Sequence, residues 1–255
     1  MNHLIIWKEL SLFIGTNQRA ISKHQHPLIQ LIVGVDEPFL WKDDSGTWIE
    51  KKILLVSPNH SHECNATGQK VLIISIDPDS ILGEFIKHQY LNVNSIIDFS
   101  FKQKEFDIIN LMELIRKNNW DKIHQRIKTL FDFDSNISFS IKKDERIQSV
   151  LDYINNNIDS EINTKKLMEI SYLSESRLLH LFKQLMGLPI RNYILWCRIQ
   201  IAFYQILDGN SLTKTAYVAG FSDQAHLTRT FVKTIGLPPS AILKNSKFVQ
   251  VFFPE

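Results

Sequence analysis

The 255-residue chain carries 29 Lys and Arg against 27 Asp and Glu, a formal charge of +2, and 44 % of its residues are hydrophobic. That composition excludes an intrinsically disordered chain and suits one large domain or two of ordinary size. It also excludes a nucleic-acid binder recognisable from overall charge, although the charge is unevenly placed, net −2 over residues 1–140 and net +4 over residues 141–255. Cys64 and Cys197 are the only two cysteines, and without C-x-x-C spacing they argue against a disulfide framework or a zinc finger and for a reducing compartment. The apolar run Leu4–Trp7 is interrupted by Lys8 and Glu9, too early for a signal peptide or a membrane span. We expect a cytoplasmic protein with no membrane partner.

Short apolar clusters follow one another at Leu4–Trp7, Leu12–Ile14, Leu28–Val33, Phe39–Trp41, Ile53–Val56 and Val71–Ile74. They have strand length, are rich in Ile and Val, and are separated by turn material such as Asp43-Asp44-Ser45-Gly46, so they predict a β-sandwich or barrel. Trp41 and Trp48 read as core residues of that unit. From about residue 80 the spacing becomes helical, over Ser80–His88, Phe106–Lys117 and Trp120–Phe131. The polar stretch after Phe131 predicts a linker at residues 136–143. The first domain then covers residues 1–135, with its helices at about 80–131, and the second covers residues 144–255 and reads as helix almost throughout.

That second part repeats itself at a spacing of 49 residues. Leu178, Phe182, Gly187, Leu188 and Pro189 recur as Leu227, Phe231, Gly236, Leu237 and Pro238, and Leu167–Tyr172 aligns with Ala216–Phe221. Each copy reads as a short helix, a tight turn and a second helix. In the first copy Leu178, Leu181, Phe182 and Leu185 form an inner stripe, leaving Arg177, His180 and Gln184 outward. In the second, Leu227, Phe231 and Ile235 point in, while Gln224, Thr228 and Arg229 point out. Gly220 suits the turn, and Gly187 and Gly236 suit helix C-termini. One continuous helix, Ile190–Leu207, joins the copies and spans roughly 27 Å.

The run Ala219-Gly220-Phe221-Ser222-Asp223-Gln224, continuing through Leu227-Thr228-Arg229-Thr230-Phe231 to Gly236-Leu237-Pro238-Pro239-Ser240, resembles the AraC/XylS family of bacterial transcription regulators. The resemblance covers about residues 144–244. The first copy departs from the pattern in having Ser171 where the second has Gly220. The resemblance implies an α+β protein with an N-terminal cupin-like β-barrel, a helical pair where family members often dimerise, and an all-α C-terminal domain with two helix-turn-helix units. It implies a non-enzymatic, sequence-specific regulator of double-stranded DNA, commonly an activator working with RNA polymerase. Matching positions for base contact are Ser176, Leu179 and His180, then Gln224, Ala225, Thr228 and Arg229. Arg177, Lys183 and Lys233 read as phosphate-facing or solvated charges.

The segment His24-Gln25-His26, with Gln30 and His62, resembles the H-x-H, acid and third histidine of metal-binding cupins, with Gln30 in the acid's place. Three readings stay open: a bound metal, polar lining of an effector pocket, and hydrogen-bonded structural histidines. The enzymatic alternative, a cupin with a catalytic metal on His24, His26 and His62, leaves the repeat unexplained.

Overall fold

A computed structural model describes residues 2–92, 95–100, 107–134, 144–241 and 249–254. The chain divides into two compact units, one of Met1–Ile21, Leu28–Ser140 and Phe248–Glu255, the other of Ser22–Pro27 and Ile141–Lys247.

The first unit is built on a seven-stranded sheet ordered β10-β7-β4-β9-β2-β1-β11. Its strands are β1 (Asn2–Ile6), β2 (Leu10–Thr16), β4 (Ile29–Gly34), β7 (Ile53–Val56), β9 (Lys70–Ile76), β10 (Ile96–Asp98) and β11 (Val249–Phe252). The centre is antiparallel, with Leu31 opposite Leu55 on one side and Ile74 on the other. Because successive side chains alternate faces, Leu12, Ile14, Leu31, Val33, Leu72 and Ile74 line up on one face and form one core.

Helices cover that face. They are α1 (Ile81–Ile86), α2 (Ile108–Arg116) and α3 (Trp120–Leu130), whose Leu82, Ile86, Leu111, Ile115, Ile123 and Ile127 join the same core. Each starts on a capping side chain: Ser80, Asp107 and Asn119 accept from the backbone N–H of Gly83, Asn110 and Lys122. The helical pair α2–α3 therefore spends its apolar stripe within the chain, and Ile109 is left 85 % exposed on the far side of α2.

A smaller sheet is centred on β5 (Phe39–Lys42), which pairs antiparallel with β6 (Trp48–Lys51) and β8 (His62–Asn65). β3 is Ile21–His24. The expected N-terminal β unit ahead of a helical domain is thus present, its strands set in two sheets, the larger ending on β10 and β11. Trp41 is buried as expected, whereas Trp48 is 40 % exposed with the Lys42 ammonium 5.2 Å over its ring.

Five strands, β3, β6, β8, β10 and β11, escaped the apolar-cluster reading because none holds three consecutive apolar residues. The last is the most consequential. The sequence reading carried the helical domain to residue 255, but β11 lies parallel to β1, with Phe252 stacked on His3 and 4.5 Å from Trp120 between ring centres. The linker 136–143, Phe106 and residues 242–248 fall outside the described residues. Among the described residues no helix is long and apolar enough to cross a membrane.

Both thiols are buried and unpaired with each other. Burial pushes Cys64 up to about 12 and Cys197 up to about 11, so neither is a thiolate near neutrality. A maleimide at about pH 8 should label neither cysteine in the native chain and both in denaturant; rapid native labelling would contradict the packing.

Candidate nucleic-acid interface

The second unit contains α4 (Glu145–Asn156), α5 (Thr164–Ser171), α6 (Glu175–Met186), α7 (Ile190–Leu207), α8 (Leu212–Val218) and α9 (Gln224–Ile235). The connecting helix has the bounds read from the sequence. Two separate cores form on it. One gathers Ile147, Val150, Ile154, Leu167, Leu178 and Phe182 with Ile190 at the start of α7. The other gathers Ile199, Ala202 and Ile206 from its far half with Ala216, Phe221, Leu227 and Phe231.

In α6, Leu178 and Phe182 are fully buried. Ser176, Arg177, Leu179, His180, Lys183 and Gln184 are exposed, as the stripe requires. Leu185 departs from expectation: it is 43 % exposed, and Met186 packs on the core. Met186 corresponds in the repeat to Ile235, which packs on the second core in the same way.

In α9, Leu227, Thr230 and Phe231 are buried, Gln224, Ala225, Arg229 and Lys233 are exposed, and Thr228 is half-buried. The Thr228 hydroxyl donates to the Gln224 backbone carbonyl at 2.8 Å, which leaves its oxygen outward as an acceptor. Thr213 Oγ1 lies 3.3 Å from Gln224 Oε1; only the hydroxyl can donate there, so the Gln224 amide turns its N–H groups outward.

α9 is closed by Asp223 at one end and at the other by Gly236, as the sequence reading expected, with Ser22 and Gln25, which it did not single out. At the N-terminus Asp223 accepts from the His226 N–H at 2.7 Å, and that bond, ahead of the Ser222 hydroxyl, holds its carboxyl below the usual range. An Asp immediately before an apolar periodic run is a capping signal that was open to sequence reasoning. At the C-terminus Gly236 is left-handed at φ 79°. Its carbonyl accepts from Ser22 Oγ at 2.7 Å and Ser22 N at 3.1 Å, and the Lys233 carbonyl accepts from Gln25 N at 3.2 Å. Nothing in a sequence announces that partnership across more than 200 positions.

The two turns differ. Gly220 takes φ 74°, as the tight-turn reading expected. In the first copy Ser171 stays helical and buried, with Oγ donating to the Leu167 carbonyl at 2.8 Å, and the left-handed residue is Tyr172, at φ 54°. The turn thus shifts one place along, and Tyr172 is 93 % exposed.

Of the histidine set, His24 and His26 lie together, both buried, with ring centres 5.4 Å apart. His24 ends β3, so His26 follows the strand and does not share it, contrary to the expectation of two alternate strand residues. In the first unit His62 is buried on β8, stacked on Trp41 at 5.6 Å. Gln30 sits half-buried on β4, opposite Val56 and Ser75. The Nδ1 atoms of His24 and His62 each face a backbone carbonyl at 2.9 Å, of Ser22 and His60. A carbonyl only accepts, so Nδ1 carries the proton and Nε2 the lone pair, the form that receives a hydrogen bond or ligates a metal.

The chain matches a family model described as a helix-turn-helix domain over residues 167–245. It is similar to the probable transcriptional regulator LumQ of Photobacterium leiognathi, 24 % identical over 251 residues that cover 91 % of this chain and 96 % of LumQ. It is also similar to the multiple antibiotic resistance protein MarA of Salmonella typhimurium, 31 % identical over 94 residues that cover 36 % of this chain and 74 % of MarA. The chain belongs to the AraC/XylS family. It is a transcriptional regulator with a helix-turn-helix DNA-binding domain. As an AraC/XylS protein it shares its two-unit fold with ToxT of Vibrio cholerae, at a TM-score of 0.58 and 14 % identity, over 92 % of this chain and 96 % of ToxT.

The left-handed Tyr172 yields a stability prediction for the first helix-turn-helix. A non-glycine residue there costs about 1–2 kcal/mol, and glycine returns roughly 0.5–1 of that as chain entropy. Tyr172→Gly should therefore stabilise the protein by about 0.5–1 kcal/mol in denaturant unfolding, since the exposed ring loses no packing; a loss of more than about 1 kcal/mol would mean that the ring is held.

Proposed function

We propose that the protein reads two adjacent major-groove segments of one DNA duplex, α6 entering one and α9 the other, and that the first unit modulates this by taking a small molecule or by pairing two copies. The observation that carries the reading is the duplicated helix-turn-helix itself. Two outward rows, one on each second helix, sit on either side of an 18-residue helix whose length, roughly 27 Å, is near the ~34 Å helical repeat of DNA.

Side-chain chemistry assigns the parts. Arg229 presents the fork that holds a guanine edge bidentately, Gln224 and Thr228 offer a donor and an acceptor, and Leu179 and Ala225 suit thymine methyls. Ser176 and His180 complete the base-reading set. Arg177, Lys183 and Lys233 serve the phosphates, positioning without specifying.

For the modulator we favour a small molecule taken up by the first unit; of the candidate contacts, Gln30 and His62 lie in that unit and His24 and His26 in the second. The fold likeness to ToxT, which has been solved with an unsaturated fatty acid bound, supports an effector role. So does the position of Ser22 and Gln25 on the end of α9, in the same short segment as the histidine pair. A divalent metal is the competing ligand of these histidines, since a neutral imidazole offers such an ion a nitrogen lone pair. Activation with RNA polymerase is the regulatory sense we assign, and the cytoplasm the compartment.

Selection from random duplex DNA with the full chain should return two conserved blocks about one helical turn apart. A single block, or no enrichment at low salt, would reject the reading. On the selected duplex Arg229→Ala should cost about 1–3 kcal/mol and relax preference at one base pair, while Lys183→Ala should weaken all sequences alike and lower the salt slope by about 1; unaltered preference in Arg229→Ala would remove it from the reading set.

A further inference from the structure

The two helix-turn-helix cores share no buried residue, and α7 alone runs through both. A single long helix is rarely straight and curves gently along its length. If it were the sole connection, each helix-turn-helix could rock on its own half, and the interval between α6 and α9 would be loosely set. A second connection exists, in the middle of α7.

Arg198 lies at that midpoint, half-buried. Its Nε donates to the Ile158 carbonyl at 3.0 Å and a terminal guanidinium nitrogen donates to the Ser160 carbonyl at 2.8 Å. Those two carbonyls belong to the loop between α4 and α5, whose Ile158 side chain packs on the core of the first helix-turn-helix. On its other side Arg198 meets the turn of the second. A Cβ placed on Gly220 would stand 2.6 Å from the Ile158 oxygen and 3.0 Å from Arg198 Nε. The turn of the second copy is thus pressed against the loop of the first, with the guanidinium beside both. Three requirements converge on Gly220: a positive φ, room for the Ile158 carbonyl and room for Arg198. The corresponding place in the first copy, Ser171, meets none of them.

The choice of arginine follows from geometry. Two N–H groups on one rigid plane reach two carbonyls at a fixed angle, which constrains rotation as well as distance; an ammonium on a flexible stem constrains distance alone.

We propose that Arg198 is a positioning residue which, through the Ile158 and Ser160 carbonyls and the abutting Gly220 turn, fixes the distance and rotation between α6 and α9 and so sets the DNA spacing the protein accepts. This rests on the two-segment reading above. One base pair inserted between the blocks moves the second by ~3.4 Å and turns it by roughly 35° about the duplex, a displacement a locked pair of helices cannot follow.

The test measures binding of the full chain to the duplex selected above, and to the same duplex with one base pair added or removed between the blocks. Wild type should lose about tenfold or more in affinity at either altered spacing, the scale of one misread position. Arg198→Ala should lose no more than about threefold at either spacing, a flattened profile, while keeping the base preference within each block. Arg198→Lys should fall between them. A general loss of stability lowers affinity equally at every spacing and does not flatten the profile. If Arg198→Ala or, should that variant fail to fold, Arg198→Lys retains the full wild-type penalty, the positioning role is overturned. If wild type binds the selected duplex but tolerates every spacing, the lock is overturned while DNA recognition stands. If wild type binds no duplex, the two-segment reading falls first.

Discussion

Leu178 with Phe182, and Leu227 with Phe231, are buried completely at matched places in two helices of equal length. The outward rows take their orientation chiefly from these four side chains. A helix of twelve residues is marginal alone in water, so its rotation about its own axis is fixed by the stripe it buries. Each of these side chains contributes about 1.5–3 kcal/mol by leaving water, and each settles which of its neighbours face a groove. Truncating Phe231 would remove the reading face of α9 without touching a residue that reads.

That dependence explains what was legible. An apolar repeat at helical spacing survives any tertiary context because the core demands it, so α6, α7 and α9, the inward stripes and the exposed rows were all open to inspection of the sequence. Gly220, Gly187 and Gly236 were legible for a related reason: each takes a positive φ that other residues adopt at a cost. Where two arrangements cost nearly the same, the sequence was silent. Ser171 in place of glycine signalled a different turn but not that the left-handed residue would move to Tyr172, because an exposed tyrosine can bear that strain in a tightly capped turn. Leu185 and Met186 both fitted the stripe by periodicity, and which of the two packs was decided by the neighbouring elements and not by the spacing.

In the first unit the same reasoning separates strong signals from weak ones. Strands with three or more consecutive apolar residues, such as β4 and β7, were found; strands without such a run carry too little pattern and were not. β11 lies at the extreme of this difficulty, pairing residues near 250 with residues near 3, a closure that depends on where the chain can return and not on its local composition. The histidines are intermediate. Their spacing marked them as a group, but whether His26 shares a strand with His24 turned on one residue at a strand end, the boundary that pattern reasoning resolves least well.

Electrostatics adds a constraint on how recognition can be divided between the two second helices. The carboxylate of Asp223 caps α9 at the end assigned to the groove, where it stabilises the helix dipole and opposes the phosphates at once. Exposed cations on α9 are Arg229, on the face that would meet bases, and Lys233 in the last turn. α6 presents Arg177 and Lys183 with Glu175 in its first turn, so the two second helices match in charge, each with two exposed cations and one carboxylate at the N-terminal end. In the two-segment reading the sequence-independent attraction is therefore shared between α6 and α9. A junction that holds the two at a fixed interval makes such sharing selective, because attraction gained by one helix is realised only where the other also finds its bases.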